Sequence, residues 1–235
     1  MQTLSTSRWT GAALLAGVVL GIVNAVSVSP GIDINLSGDF RATAEAMLQS
    51  PDRLQARGWM LMAIFACQAA SLSGFYLLTR NRSPLPAIWA LLAGLVAAKF
   101  SLSASVNAFA AGKLASGVLA PDSASAHAVM ETVANHSSFH LALVLSSLAS
   151  AVFYGVFLRF RLLPPLLAGF GLFASLFVSA TIVGRDFVAV LGHDAFTAAI
   201  MGANLIAIVA TGLYLIVKGV REGVPSAATT GTEAR

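Results

Sequence analysis

Six apolar runs bracketed by arginines and lysines constrain this chain more than any other feature: 10–28, 58–79, 85–111, 138–158, 166–183 and 196–217. About 20 apolar residues in a helix cross the hydrocarbon core of a bilayer. The sequence therefore predicts an all-α polytopic membrane protein, a six-helix transmembrane bundle in a single domain over 1–224. No room is left for a separate soluble domain. The composition agrees, with 57% hydrophobic and 10% charged residues and a mean hydropathy of +0.81, well outside soluble proportions. The net charge of +4 would suggest nucleic acid in a soluble chain, but here the basic residues sit at the ends of apolar runs, where they set orientation. No nucleic-acid partner is expected.

Arg8, then Arg80 and Arg82, then Arg159 and Arg161, then Lys218 and Arg221 fall at one set of run ends, and the acidic residues gather at the other. By the positive-inside rule, the N- and C-termini are cytoplasmic. Trp9, Trp59 and Trp89 lie near run ends, where amphipathic rings favour the headgroup region. Arg8 followed by an apolar run, with Val23 and Ala25 as a cleavage site, also fits a secretory leader; the run is read here as the first span.

The longest connection, 32–57, contains a second kind of signal. Asp39 is placed to cap a short helix, about 38–49, whose Phe40, Ala44, Met47 and Leu48 recur on one face. Such a helix lies on the membrane surface or lids the bundle. Ser50-Pro51-Asp52 then starts the second spanning helix outside the bilayer. Ala120-Pro121-Asp122 similarly opens an amphipathic approach, 122–137, to the fourth span. The tail, 225–235, is small and polar and is expected to be disordered. Lone Cys67 excludes an internal disulfide.

Two groups carry the chemistry that the sequence offers. Lys99, Ser103 and Asn107 follow at i, i+4 and i+8 in the third run, a polar seam on an apolar helix. A lysine at the centre of a membrane helix costs about 2.5–3.5 kcal/mol, so it is expected to face protein or water. His136 and His140, four apart at the mouth of the fourth run, share a face that continues to Ser147 and could look toward the seam across neighbouring helices. Gln68 and Asn204 are further candidates for a pocket wall. Two histidines are half of a tetrahedral zinc set, which His127, Glu131, His193 or Asp194 would have to complete. Against these readings stand snorkelling of Lys99 and the ordinary use of serines in helix packing. The sequence has no phosphate loop, nucleophile elbow or HExxH motif.

At Gly38-Asp39 with Ala42-Thr43-Ala44, at His136-Ser137, and at Gly155, Arg159, Pro164-Pro165 and Gly169, the chain resembles a bacterial family of integral membrane proteins catalogued as domain of unknown function 4386. The resemblance spans roughly 10–215 and implies a six-helix fold in the bacterial cytoplasmic (inner) membrane. It carries over no catalytic residue. His136 matches a position where the family tends to have histidine, whereas His140 lies outside the pattern.

The expectation is a non-enzymatic protein with an outward-facing polar pocket built from Lys99, Ser103, Asn107, His136, His140 and Gln68, taking a small anionic ligand or a lipid headgroup and needing no cofactor. Service as an accessory subunit of a larger membrane complex fits equally. The alternative is a membrane enzyme with zinc or another divalent metal on His136 and His140, and the third option is a small transporter.

Overall fold

The computed structural model describes residues 2–37, 39–117 and 121–221, all in helices, turns and loops with no strand among them. In chain order these are α1 (Gln2–Val23) with a π-helical turn at Asn24–Val28, α2 (Ile34–Ser37), α3 (Phe40–Leu48), α4 (Pro51–Thr79), α5 (Pro84–Ala115), α6 (Pro121–Arg159), α7 (Pro165–Gly184) and α8 (Asp194–Val217). Six of these helices are long and apolar enough to cross a membrane. The protein is an integral membrane protein.

The long helices form a closed circuit, each packed on the next, α4 to α5, α5 to α6, α6 to α7 and α7 to α8, with α1 joining α8 back to α4. Short turns enforce this order, since Arg80 to Ser83 and Phe160 to Pro164 leave no length for a crossover. α2 and α3 lie across α6 and α5 at the end of the bundle where α4 and α6 begin. That lidded end holds every Asp and Glu among the described residues, and the opposite, basic end carries Arg8, Arg80, Arg82, Arg159, Arg161, Lys218 and Arg221.

The start signals in the sequence act as their chemistry requires. Asp39 caps α3, its Oδ1 accepting from Arg41 N and Ala42 N at 3.0 Å. α4 starts with Pro51 at its first position, although Ser50 makes no side-chain cap. The segment 122–137 is continuous with the fourth span in α6, because nothing after Pro121 interrupts the helical backbone. The tail 225–235 lies outside the described residues, as does Gly38.

In lipid there is no hydrophobic drive between apolar helices, so close association depends on small residues. α5 shows this plainly, since its buried positions are Ala87, Ala90, Gly94, Ala97, Ala98, Ser105, Ala108 and Ala111. α1 meets α8 through Gly11 and Gly212, where a Cβ on Gly11 would fall 2.5 Å from the Gly212 carbonyl oxygen. Gly17 touches α4 at Cys67, whereas Gly21 has open space. Large side chains fill the basic half of the interior, where Phe75 of α4 meets Phe153 and Phe157 of α6, both at 5.4 Å between centroids, beside Tyr154, Leu163 and Leu215. The Tyr154 hydroxyl pairs with Thr211 Oγ1 at 2.9 Å, so the one polar tip in this cluster is satisfied.

The backbone of α8 cannot swing away as a side chain can. Gly11→Ala should therefore cost about 1–3 kcal/mol of stability, while Gly169→Ala, with nothing within 4 Å of its added Cβ, should be neutral. Thermal unfolding of the two variants in one detergent makes the comparison, and equal midpoints would contradict the close α1–α8 approach.

Candidate functional site

The polar residues of the lidded end are organised by two arginines one turn apart on α4. Arg53 Nη2 donates to the carbonyl oxygens of Val28 at 2.9 Å and Pro30 at 2.6 Å, holding the chain where it leaves α1. Arg57 is only 5% exposed. Its Nη2 lies 2.7 Å from Asp33 Oδ2 and its Nη1 donates to the Ile32 carbonyl oxygen. Asp33 Oδ1 in turn accepts from the backbone N–H and the Nδ2 of Asn35, both at 3.0 Å. Asn35 Oδ1 then meets His136 Nδ1 at 3.0 Å. A continuous polar chain thus runs from α4 through the connecting loop and α2 to α6.

The lid is pinned on its apolar side as well. Phe40 meets the His136 ring edge-on at 5.4 Å, and Met47 is buried with Ile32, Leu54 and Ala111. The Thr132 hydroxyl, which donates to Ala128 O at 2.6 Å, lies 3.7 Å from Met47 Sδ.

Beneath the lid is a cavity of about 20 Å³, counted as space open to the centre of a water molecule, between α3, α4, α5 and α6. Its polar lining is Arg57, Asn107, Glu131, Thr132, Asn135 and Thr43. About 10–15 Å³ suffices for one water. Two buried atoms of this lining have no hydrogen-bond partner among the described residues, Arg57 Nε, a donor, and Glu131 Oε2, an acceptor. A buried polar group left unpaired costs about 1–3 kcal/mol, more when charged, so these two atoms are the costly ones in the cavity lining.

The residues singled out in the sequence divide. Asn107 lines the cavity, and His136 buttresses the lid beside it. His140 stacks edge-on against His136 at 4.3 Å between centroids. Ser103 is half-buried on α5 outside the lining, and Gln68 lies on α4 with its Oε1 buried and unpaired. Lys99 is exposed on the outside of α5, its Nζ 5.9 Å from the Phe100 ring centroid. Helical geometry separates it from Asn107, since eight residues at 100° each leave the two about 80° apart. No group of three His, Cys, Asp or Glu side chains able to hold a metal occurs among the described residues; of the ligands considered in the sequence, the Asp194 side chain lies outside them.

Asp39 caps the lid, Thr43 lines the cavity and His136 holds Asn35, so three of the residues that carry the family resemblance meet at this end. The family model described as domain of unknown function DUF4386 matches residues 9–219. The chain belongs to that family. No curated protein and no solved structure matches it. In this family member, Arg57, Asp33, Asn35, Thr132 and Asn135 are the site residues that the sequence did not announce. Arg57 had one available signal, as an arginine at the acid-rich end of the bundle.

Arg57→Met strands the Asp33 carboxylate and should cost about 3–5 kcal/mol. Arg57→Met with Asp33→Asn removes both charges while keeping the acceptor for Asn35, and should recover most of that loss. Denaturant unfolding in detergent distinguishes the two, and a double variant as unstable as the single would show that the pair is not coupled.

Proposed function

We propose that this protein is a non-enzymatic binding protein of the membrane, holding a small polar ligand in the lidded cavity between α3, α4, α5 and α6. The observation that carries this reading is the opposed pair of buried, unpartnered atoms, Arg57 Nε and Glu131 Oε2, on one cavity wall system. Because Asp33 already neutralises Arg57, a simple anion gains little there and meets Glu131. The fitting ligand accepts one hydrogen bond and donates another, which departs from the small anion expected around Lys99. As it stands the cavity admits a molecule the size of one water, so a larger ligand requires α2 and α3 to lift; the lid is held to α6 through the Asn35–His136 and Phe40–His136 contacts and to α4 and α5 through apolar packing.

The distribution of charge supports a bacterial cytoplasmic membrane with the basic end inside. The cavity would then open outward. A reporter active only in the cytoplasm should work when fused after Arg221, and one active only outside should work when inserted at Gly117; the reverse pattern would turn the cavity inward.

The ligand is tested by gentle extraction, denaturation and mass spectrometry of the small molecules released. Asn107→Leu fills the cavity without touching the ion pair and should lower the retained polar molecule roughly tenfold, which is about 1.4 kcal/mol. Unchanged content in Asn107→Leu and Glu131→Gln would place binding elsewhere.

A second reading, an accessory subunit, is favoured by Lys99. It lies midway along α5, exposed, with no carboxylate paired to it among the described residues. A lipid-facing charge at that depth is costly, and a neighbouring membrane protein presenting an acid would offset the cost. Lys99→Leu should release such a partner during gentle purification; a wild-type protein that elutes alone, as a monomer, argues for snorkelling instead.

A further inference from the structure

At the lidded end α4 presents two faces. Leu54 and Arg57 turn to the cavity, whereas Asp52, Gln55 and Trp59, at i, i+3 and i+7, line an open groove of about 470 Å³ whose other wall is Phe109 and Lys113 of α5 with Ser116 just past its end. This volume lies within the usual range for small-molecule sites, about 300–1,000 Å³. The groove has a built floor. Gly112 faces the start of α4, where a Cβ would meet Pro51 O in ordinary contact at 3.5 Å, and Gly58 leaves the space that the Phe109 ring occupies. Ser105 Oγ, donating to Gly58 O at 2.8 Å, fixes the same crossing. Phe109 then meets Trp59 edge-to-face at 5.2 Å.

The groove is polar at its mouth and apolar deeper. Trp59 is 62% exposed, and Val106, one turn further into α5, is 58% exposed. Exposed Asp52 and Lys113 stand at the mouth. Each suits the dipole of its own helix end, but the dipoles do not require that both flank one groove with aromatic walls. An anionic headgroup would satisfy Lys113 and be repelled by Asp52. A zwitterionic one satisfies both.

We propose that this groove seats a phospholipid with a zwitterionic headgroup, the phosphate on Lys113, the ammonium on Asp52, and the acyl chains running inward over Trp59, Phe109 and Val106. The full chain, reconstituted in nanodiscs of equal parts phosphatidylethanolamine and phosphatidylglycerol and released for native mass spectrometry, provides the test. Phosphatidylethanolamine should be retained in excess of its share. Lys113→Gln should reduce that retention roughly fivefold, with Lys113→Arg keeping it and the unfolding midpoint unmoved. Trp59→Leu, which leaves both charges in place, should also weaken retention. Phosphatidylglycerol retained equally or better, no retained phospholipid, or a Lys113→Gln protein that holds as much as the wild type would each overturn the proposal. Asn107→Leu, which closes the cavity, should leave lipid retention unchanged, so the two sites fail separately.

Discussion

The buried pairing of Arg57 with Asp33 is the contact on which the lidded end depends. Taking two charges out of water costs several kcal/mol per ion, and mutual attraction repays it only when the remaining hydrogen-bonding groups are also met. Here most are. Arg57 uses one terminal nitrogen on the Asp33 carboxylate and the other on the Ile32 carbonyl, and Asp33 spends its second oxygen on Asn35. A planar guanidinium can do this because its donors point in fixed, divergent directions; a lysine offers one point of charge. The result joins α4 to the connection 24 residues upstream, and so fixes where α2 and α3 begin. Arg53, one turn earlier, closes the end of the π-helical turn at Val28.

What the ion pair leaves unsatisfied defines the cavity. Small residues at Ala104 and Ala108 on α5 keep the helices close without filling the space under the lid, while Arg57 from α4 and Glu131 from α6 reach into it. Elsewhere the same smallness produces tight contact, as at Gly11 and Gly212 or along the buried alanines of α5. The difference lies in the partner. Where a small residue faces another helix backbone the gap vanishes, and where it faces a loop and a lid a space remains.

The spans were legible because the bilayer imposes one requirement, length of apolar helix, that composition alone reveals. The cap of α3 was legible for a comparable reason, since Asp39 acts on residues two and three positions away. The site was not. Arg57 and Asp33 meet only because the chain turns back on itself, and no spacing encodes that. The seam from Lys99 to Asn107 divides for a geometric reason. Steps of four overshoot a turn by about 40° each, enough over two steps to put Asn107 under the lid and Lys99 against the surroundings of the bundle. His136 and His140 differ by one such step, and only His136 reaches the lid.

The two ends of the bundle are held together differently. At the basic end, Arg221 N donates to Leu162 O at 2.9 Å and Val220 N donates to Ser7 Oγ at 3.3 Å, so the chain leaving α8 is tied to both α1 and the α6–α7 turn. Above those ties lies the aromatic cluster of Phe75, Phe153 and Phe157, with Ala149 and Ala90 filling the gaps. Opening the bundle at this end means parting this closely packed cluster and breaking the backbone ties below it. At the lidded end, by contrast, α2 and α3 are held to the long helices by the Asn35–His136 and Phe40–His136 contacts, by Asn35's bonds to Asp33 of the Arg57 ion pair, and by a modest apolar patch. Interlocked aromatic rings and backbone ties thus close the basic end, whereas side-chain contacts from two short helices close the lidded one.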